Sequence, residues 1–227
     1  MPARKPALAE AVTADPPLRF VTAASLFDGH DAAINIMRRI LQSRGVEVIH
    51  LGHDRSVREI VDAAMEEDAD GIAVSSYQGG HMEYFTYMVA LLAERGRPDI
   101  GVYGGGGGTI TEREIEALHA AGVRRIYSVE DGRRLGLVGM IDDMIARAQP
   151  GEVVGFEGGL PAGYPSGGAK DVARVLTWIE ALHARDDRAS LLRFREAAGG
   201  RGEGALPPVL GITGVGGAGK SSLTDEL

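Results

Sequence analysis

Short apolar runs alternate with longer amphipathic segments over most of this chain. Apolar runs of this length predict buried strands, whereas apolar residues spaced three and four apart predict amphipathic helices. The predicted strands are 18–24, 46–51, 71–75, 100–103 and 125–127. The predicted helices between and after them are 32–43, 56–67, 81–94, 111–121 and 132–147.

The alternation of strand and helix predicts βαβ crossovers, and therefore a parallel sheet covered by helices on both faces. This order predicts an α/β fold of the flavodoxin-like (Rossmann-type) kind, with a doubly wound five-stranded parallel sheet. Ser56 and Thr111 are predicted helix caps because each is followed, three residues on, by the glutamate of a capping box. Gly45 and Gly122 stand where helices are expected to end.

The amino-acid composition changes after residue 148, where Gly and Pro become too frequent for a regular helix or strand. An amphipathic pattern returns later and predicts one helix, with a second expected at 190–198. The predicted organisation is a flexible arm at 1–17, a first domain at 18–148, a linker at 149–206 that contains a helix at 171–185, and the start of a second α/β domain at 207–227.

Composition excludes several classes of function. The formal net charge of -8 argues against a nucleic-acid partner, since such binding depends on clustered Lys and Arg. The absence of Cys excludes disulfides and thiolate metal sites. No apolar run is long enough to span a bilayer, and the N-terminal residues lack the core of a signal peptide, so we expect no membrane partner and a cytoplasmic location.

Candidate chemistry falls at the ends of three predicted strands. Asp28 and His30 follow the first strand, and a carboxylate beside an imidazole commonly fixes the tautomer of a metal-ligating histidine. Small residues at 75–80 follow the third strand, and the glycine run 104–108 follows the fourth, where missing side chains permit positive φ and close backbone approach to a ligand. Because the carboxyl ends of parallel strands form one crevice, these segments are expected to meet.

Other histidines carry weaker signals. His50 and His53 have a His-x-x-His spacing but no third ligand, so we expect surface histidines. His81 either begins a helix or faces the crevice, and the sequence leaves both readings open.

Asp28-x-His30-x-x-Ala33, Ser75-x-Tyr77 and Gly104-Gly105, in this order, resemble the cobalamin-binding domain of adenosylcobalamin-dependent acyl-CoA mutases. The resemblance covers roughly 18–147. That family has Gly at the position of Ala33 and Leu at the position of Tyr77. The amino-acid sequences of segments 25–30 and 75–81 resemble most closely those of the fused isobutyryl-CoA mutases.

The resemblance implies that His30 is the lower axial ligand of cobalt and that Asp28 orients it. The displaced nucleotide tail of the cofactor would lie between the sheet and the helix that begins near Asp31. The cofactor-binding residues that the resemblance implies are Asp28, Gly29, His30, Asp31, Ala33, Ser75, Tyr77, Gly79, Gly104, Gly105, Gly106 and Thr109.

A separate motif lies near the end of the sequence. Residues 214–221 match Gly-x-x-x-x-Gly-Lys-[Ser/Thr], the phosphate-binding P-loop, and an apolar run at 209–213 precedes them. In such a loop Lys220 contacts the β- and γ-phosphates and Ser221 holds Mg²⁺. Too few residues follow to complete a nucleotide-binding domain, so we expect a truncated one. The predicted nucleotide-binding residues are Gly214, Gly216, Gly217, Ala218, Gly219, Lys220, Ser221 and Ser222.

The order of cobalamin domain, linker and P-loop also resembles the fused isobutyryl-CoA mutases. It implies adenosylcobalamin, GTP and Mg²⁺ as cofactors, a G-protein chaperone, and an acyl-CoA substrate bound by a barrel domain absent from this sequence. The implied reaction is the radical rearrangement of isobutyryl-CoA to butyryl-CoA by a homodimer, and this segment alone is expected to be inactive as a mutase.

Three alternatives stay open at the sequence level. One is another enzyme context, either a methylmalonyl-CoA mutase type subunit or a cobalamin methyltransferase module, although a methyltransferase module usually carries a helical domain before the cobalamin fold. The second is a non-catalytic cobalamin carrier, chaperone or sensor. The third is a flavodoxin-like signalling domain, which needs an acidic phosphoacceptor cluster instead of His30.

Overall fold

A computed structural model of the chain describes residues 17–30, 32–148 and 168–199. The strands form one parallel sheet in the order β2-β1-β3-β4-β5, which confirms the predicted fold class. The strands are β1 (Arg19–Ser25), β2 (Glu47–Arg55), β3 (Gly71–Ser75), β4 (Gly101–Gly105) and β5 (Arg125–Tyr127). The helices are α1 (Ala32–Ser43), α2 (Val57–Glu66), α3 (His81–Glu94), α4 (Glu112–Ala120), α5 (Val129–Arg147), α6 (Ala169–Ala184) and α7 (Arg188–Gly199), with a short 3-10 turn at Gly107–Thr109.

Helices cover both faces of the sheet, as the doubly wound arrangement requires. On one face, α2, α3 and α4 pack on a core that includes Ile72 and the fully buried Phe85. On the other face, α1 and α5 pack around Phe20 and Tyr103. The strand order reverses between β1 and β3, and a ligand crevice forms at such a point, beyond the carboxyl ends of the strands.

Both predicted helix caps are present, and the structure has a third cap that was not predicted. Ser56 and Thr111 both form the predicted capping boxes. Ser128 forms a third with Asp131, so α5 begins at Val129 and the predicted start at residue 132 is wrong. The box was missed because its third residue is Asp rather than Glu, and the shorter carboxylate still reaches the amide of Ser128 at 3.0 Å.

Two glycines interrupt regular secondary structure near the crevice, one in a strand and one in a helix. Gly52, at φ +83, sits where the pairing of β1 and β2 shifts register, so β2 continues to Arg55 instead of ending at residue 51 as predicted. Gly136 breaks α5 with φ 64 and ψ 173, a conformation that is essentially restricted to glycine. The helix therefore consists of two segments, 129–135 and 137–147, that diverge at this residue.

The predicted helix at 171–185 is present as α6, and it packs against α2. The guanidinium of Arg19, at the start of β1, donates to Thr177 at 3.4 Å and to Glu180 at 3.1 Å. Trp178 of α6 packs edge-on against Phe194 of α7, with ring centroids 5.5 Å apart. The α6–α7 pair thus lies at the edge of the sheet where the strands begin, opposite the crevice.

None of the helices within 32–148 and 168–199 combines the length and hydropathy that crossing a bilayer requires. The predicted arm up to residue 16, the Gly- and Pro-rich part of the linker at 149–167 and the P-loop segment lie outside the described residues.

Candidate functional site

The turn after β1 is built around the buried carboxylate of Asp28. Its backbone N–H donates to the carbonyl of Ser25 at 3.0 Å, which closes the turn. Oδ1 of Asp28 accepts from the backbone N–H of His30 and from Nδ1 of its ring, both at 2.9 Å, and Oδ2 accepts from the backbone N–H of Tyr77 at 2.7 Å. One side chain thus ties the end of β1 to the loop after β3.

Electrostatics keep this carboxylate ionised. Burial by itself raises the pKa of Asp28, but the hydrogen bonds from the amides of Tyr77 and His30 and from the His30 ring outweigh burial, so the pKa falls below its usual value. An ionised Asp28 can only accept, so Nδ1 of His30 carries the proton in this network. The lone pair of Nε2 is then free to bind a metal, and the His30 side chain is 76% exposed.

A cavity of about 280 Å³ lies beside this turn, between the sheet and the helices α1 and α5. We call it the slot. Its walls include Ala33 and Met37 of α1, Tyr103 of the sheet, and Met140 and Met144 of α5. Most of these side chains are apolar, which suits a flat organic group and excludes water from it.

Ser75 supplies an unpaired hydroxyl on the wall of the slot. The residue is 5% exposed, and its Oγ has no hydrogen-bond partner within the described part of the chain. A buried hydroxyl without a partner is unfavourable, so such a group in a native cavity calls for a ligand atom or water to bond it. Ser75 is therefore ready to bond a polar atom of whatever fills the slot.

The glycine run after β4 serves different purposes at different positions. At Gly106 an added Cβ would lie 1.8 Å from the carbonyl oxygen of Ser76, so the backbone of one loop touches the other directly. Gly107 has φ +58, as expected for a glycine turn. At Gly104 an added Cβ would lie 2.4 Å from Phe85 in the core beneath α3. This side of Gly104 faces the α3 core, so its missing side chain makes room for Phe85 rather than for a ligand in the slot.

Thr109 holds this loop in place. Its hydroxyl lies 2.6 Å from the carbonyl oxygen of Gly106, to which it donates, and 3.3 Å from that of Ser76. Thr109 therefore does not line the slot itself but stabilises the backbone that does.

The other predicted site residues are spread around the crevice. Gly105 lines the slot through its backbone, whereas Gly29 has open space around it. Gly79 lies in a second cavity, about 650 Å³, on the α2–α3 side of the loop after β3. Asp31 and the nucleotide-binding residues predicted at 214–222 lie outside the described residues. The assignment of all these residues to a cofactor stays a prediction.

The three other histidines singled out from the sequence, His81, His50 and His53, lie outside the site. His81 begins α3, is buried, and approaches Glu114 of α4 with Nε2 3.3 Å from Oε1, so it faces another helix instead of the slot. His50 is half-buried with Nδ1 2.9 Å from the hydroxyl of the buried Thr22, so the prediction of a surface residue is wrong for it and right for the exposed His53. Among the described residues no three His, Asp or Glu side chains come together as a metal site.

Two parts of the site went unpredicted. Met140 and Met144 line the slot from α5, and their spacing of four residues on an apolar stripe is the signal that indicates a shared face. Phe27 is 79% exposed and has φ 62, an unusual conformation for a bulky residue, stabilised by a hydrogen bond from its amide to Asp54 at 2.7 Å. No sequence pattern marks Phe27.

The sequence model of the B12 binding domain family matches residues 18–130, a range that contains the Asp28 turn, the glycine run and the walls of the slot other than those from residue 132 onward. The 2-hydroxyisobutanoyl-CoA mutase small subunit of Aquincola tertiaricarbonis is 31% identical over 130 residues, covering 57% of this chain and 93% of that protein. The chain therefore belongs to the B12 binding domain family, and the ligand class of this domain is cobalamin.

The Fused isobutyryl-CoA mutase of Geobacillus kaustophilus is 58% identical over 212 residues, an alignment that covers 92% of this chain and 19% of that protein. Nearly the whole chain thus aligns with one part of a fused isobutyryl-CoA mutase, as its motifs predicted, and it spans about a fifth of that relative's length. Among solved structures, a novel cobalamin-binding protein from Desulfitobacterium hafniense aligns with a TM-score of 0.49 at 22% identity, covering 58% of this chain and 59% of that chain.

Proposed function

We propose that this chain binds adenosylcobalamin with Nε2 of His30 as the lower axial ligand of cobalt. The observation that carries the proposal is the Asp28–His30 pair, in which the carboxylate fixes Nδ1 and leaves Nε2 exposed at the carboxyl edge of the sheet. A negatively charged partner also raises the basicity of the imidazole, which strengthens its bond to a metal.

The residues beside His30 fit the rest of the cofactor. The apolar slot suits the nucleotide tail, and the unpaired hydroxyl of Ser75 offers that tail a hydrogen bond. The backbone of Gly105 and Gly106 forms one edge of the same cavity, and Ala33 narrows it by one methyl group relative to the glycine of the family pattern. When bound, adenosylcobalamin supplies a carbon radical by homolysis of its Co–C bond. This chain's own part is to bind, orient and shield the lower half of the cofactor.

For the complete protein we propose the rearrangement of isobutyryl-CoA to butyryl-CoA on a barrel domain, in a homodimer. The fused arrangement in the relatives' names and the P-loop motif at 214–221 support a GTPase chaperone that uses GTP and Mg²⁺ through Lys220 and Ser221. The gating of cofactor loading by GTP belongs to the same proposal.

The first test is an absorption titration of the full chain with adenosylcobalamin. We expect wild type to bind the cofactor with its own base displaced and a histidine in its place, and His30→Ala to lose that spectrum and at least tenfold in affinity, as expected when a metal ligand is removed. His53→Ala is the matched control, because His53 is exposed and outside the site. A wild-type spectrum without histidine ligation, or one unchanged in His30→Ala, contradicts the assignment.

A second arm tests the reaction on the complete protein. Loaded with adenosylcobalamin, it is given isobutyryl-CoA or methylmalonyl-CoA, and the products are separated by chromatography. Formation of butyryl-CoA supports the proposed reaction. Preference for methylmalonyl-CoA indicates the methylmalonyl-CoA mutase alternative, and no rearrangement of either substrate by a cofactor-loaded protein indicates a carrier or sensor.

A further inference from the structure

Tyr77 contacts both members of the Asp28–His30 pair. Its backbone N–H donates to Oδ2 of Asp28 at 2.7 Å, and its ring centroid lies 5.5 Å from that of His30 with the planes tilted by 44°. This distance and tilt are within the range of favourable ring packing. The general pattern of the acyl-CoA mutases has leucine at this position, so an aromatic contact with His30 is not part of that pattern.

A third contact places the Tyr77 ring against the glycine run. An added Cβ at Gly107 would lie 3.0 Å from Cε1 of Tyr77, and Tyr77 also lines the slot. The ring therefore lies between the imidazole of His30 and the loop after β4. It is half-buried, and this arrangement limits how far it can swing.

The imidazole needs a second support because its one side-chain hydrogen bond fixes only Nδ1. The His30 side chain is 76% exposed, so little else packs against it. A ring held by a single bond can still rock about that bond and point Nε2 in several directions. Packing against one face of the imidazole removes part of this freedom before the ligand arrives, which lowers the cost of binding.

We infer that Tyr77 is a positioning residue that holds the His30 imidazole with Nε2 directed away from the sheet, toward an incoming cobalt. The inference rests on the proposed function, in which His30 is the axial ligand. It assigns the effect to the ring of Tyr77 and not to its hydroxyl.

The test compares Tyr77→Leu with Tyr77→Phe in the full chain. Both variants keep the backbone N–H that Asp28 accepts from, so the carboxylate anchor survives in each. The first readout is NMR of the His30 ring protons without cofactor, which report the nearby aromatic ring directly. The second is the affinity for cobalamin, together with the nitrogen splitting in the electron paramagnetic resonance spectrum of the bound Co(II) form, which reports histidine ligation.

For Tyr77→Phe we expect His30 ring signals and an affinity close to those of wild type. For Tyr77→Leu we expect the His30 signals to move toward those of a free histidine and the affinity to fall roughly tenfold, the lower end of the range for residues that orient metal ligands. Tyr77→Met is measured alongside, with the same expectation as the leucine variant if that one does not fold. Tyr87→Leu serves as the control, since Tyr87 is an exposed tyrosine on α3 that does not line the slot.

The possible failures are distinguishable. If wild type binds no cobalamin or binds it without histidine ligation, the proposed function fails. If wild type binds with histidine ligation and Tyr77→Leu leaves the affinity and the His30 signals unchanged, the role of Tyr77 is overturned. The same holds if Tyr77→Phe loses as much affinity as Tyr77→Leu, because the ring would then not be the cause.

Discussion

At the scale of single residues, the carboxylate of Asp28 divides its two oxygens between two strand ends. Oδ1 orients His30 after β1, and Oδ2 accepts from Tyr77 after β3. The position of the His30 imidazole is therefore set by the loop of a neighbouring strand as well as by its own turn. A substitution in either loop is therefore expected to change the geometry of the Asp28–His30 pair.

Gly106 provides a sharp test at this scale. Gly106→Ala puts a methyl 1.8 Å from the backbone carbonyl oxygen of Ser76, which no rotation of a side chain relieves. We expect a loss of about 1–3 kcal/mol in the free energy of unfolding, typical of overpacking, and weaker cobalamin binding. Thermal unfolding and a cofactor titration measure the two effects.

The matched control is Gly108→Ala, because an added Cβ at Gly108 meets nothing within 4 Å. Gly108→Ala should change the free energy of unfolding and the affinity for cobalamin only a little. Equal effects in the two variants would show that the close approach to Ser76 is not what requires glycine at 106.

The sequence predicted the polar residues of the site better than the reasons for its glycines. Asp28, His30 and Ser75 are recognisable because short polar motifs at strand ends carry their chemistry in local spacing. Gly104 was predicted to allow close backbone approach to a ligand, and its backbone does line the slot, but the side chain that it lacks would collide with Phe85. Which face of a strand a glycine must keep clear depends on a helix distant in sequence, and no local pattern records it.

At the scale of secondary-structure elements, α5 depends on its first turn. Burial by itself raises the pKa of Asp131, but the hydrogen bond from the Ser128 amide and the charge of Arg125 outweigh it, so the pKa is lowered. A group with a lowered folded pKa stabilises the fold above its unfolded pKa, and that contribution is lost as the pH falls through the folded pKa.

Asp131→Asn tests this directly. We expect the variant to be about 1 kcal/mol less stable than wild type near neutral pH, the usual worth of a cap. The difference should shrink as the pH falls below about 4, where the carboxylate begins to protonate in the unfolded chain, and should vanish as the pH falls through the lower folded pKa. Denaturant unfolding across this pH range measures it.

Glu130→Gln is the control, since the Glu130 side chain lies one position earlier and is 72% exposed. It should show little difference from wild type at any pH. A stability gap between Asp131→Asn and wild type that stays constant down to acidic pH would mean that the charge of Asp131 is not its source.

The start of α5 also marks a limit of prediction for elements. The alternating pattern located all of the strands and helices around the site, because hydrophobic periodicity is strong in a doubly wound sheet. It missed the first three residues of α5 and the break at Gly136. A glycine inside a helical pattern is compatible with both a continuous and a broken helix, and tertiary packing decides between them.

At the scale of the whole molecule, the Asp28–His30 pair and the α6–α7 pair lie at opposite ends of the strands of one sheet. His30 follows the end of β1, whereas Arg19 at its start contacts Thr177 and Glu180 of α6. The same strand thus leads into the Asp28–His30 turn at one end and contacts helix α6 at the other.

Arg19→Met is expected to loosen α6 without affecting cobalamin affinity. The Arg19 side chain is 13% exposed but its partner Glu180 is 54% exposed, and an ion pair open to solvent on one side contributes modestly, so we expect a loss of about 1 kcal/mol in stability, seen as faster hydrogen exchange of the α6 amides. Arg39→Met, at an exposed position on α1, is the control and should leave that exchange unchanged. Weaker cofactor binding in Arg19→Met would contradict the separation of the two ends.

The broken helix α5 has a consequence for redesign. Because Gly136 separates the helix into two segments, the slot is lined by the exposed Val129 from the first segment and by the buried Met140 and Met144 from the second. Methionine is unbranched and adapts to irregular shapes, so the wall from the second segment can be reshaped one side chain at a time without changing the first. Under the proposed function, in which the slot holds the nucleotide tail, Met140 and Met144 are the positions at which to engineer a preference among cobalamins that differ in the base of that tail.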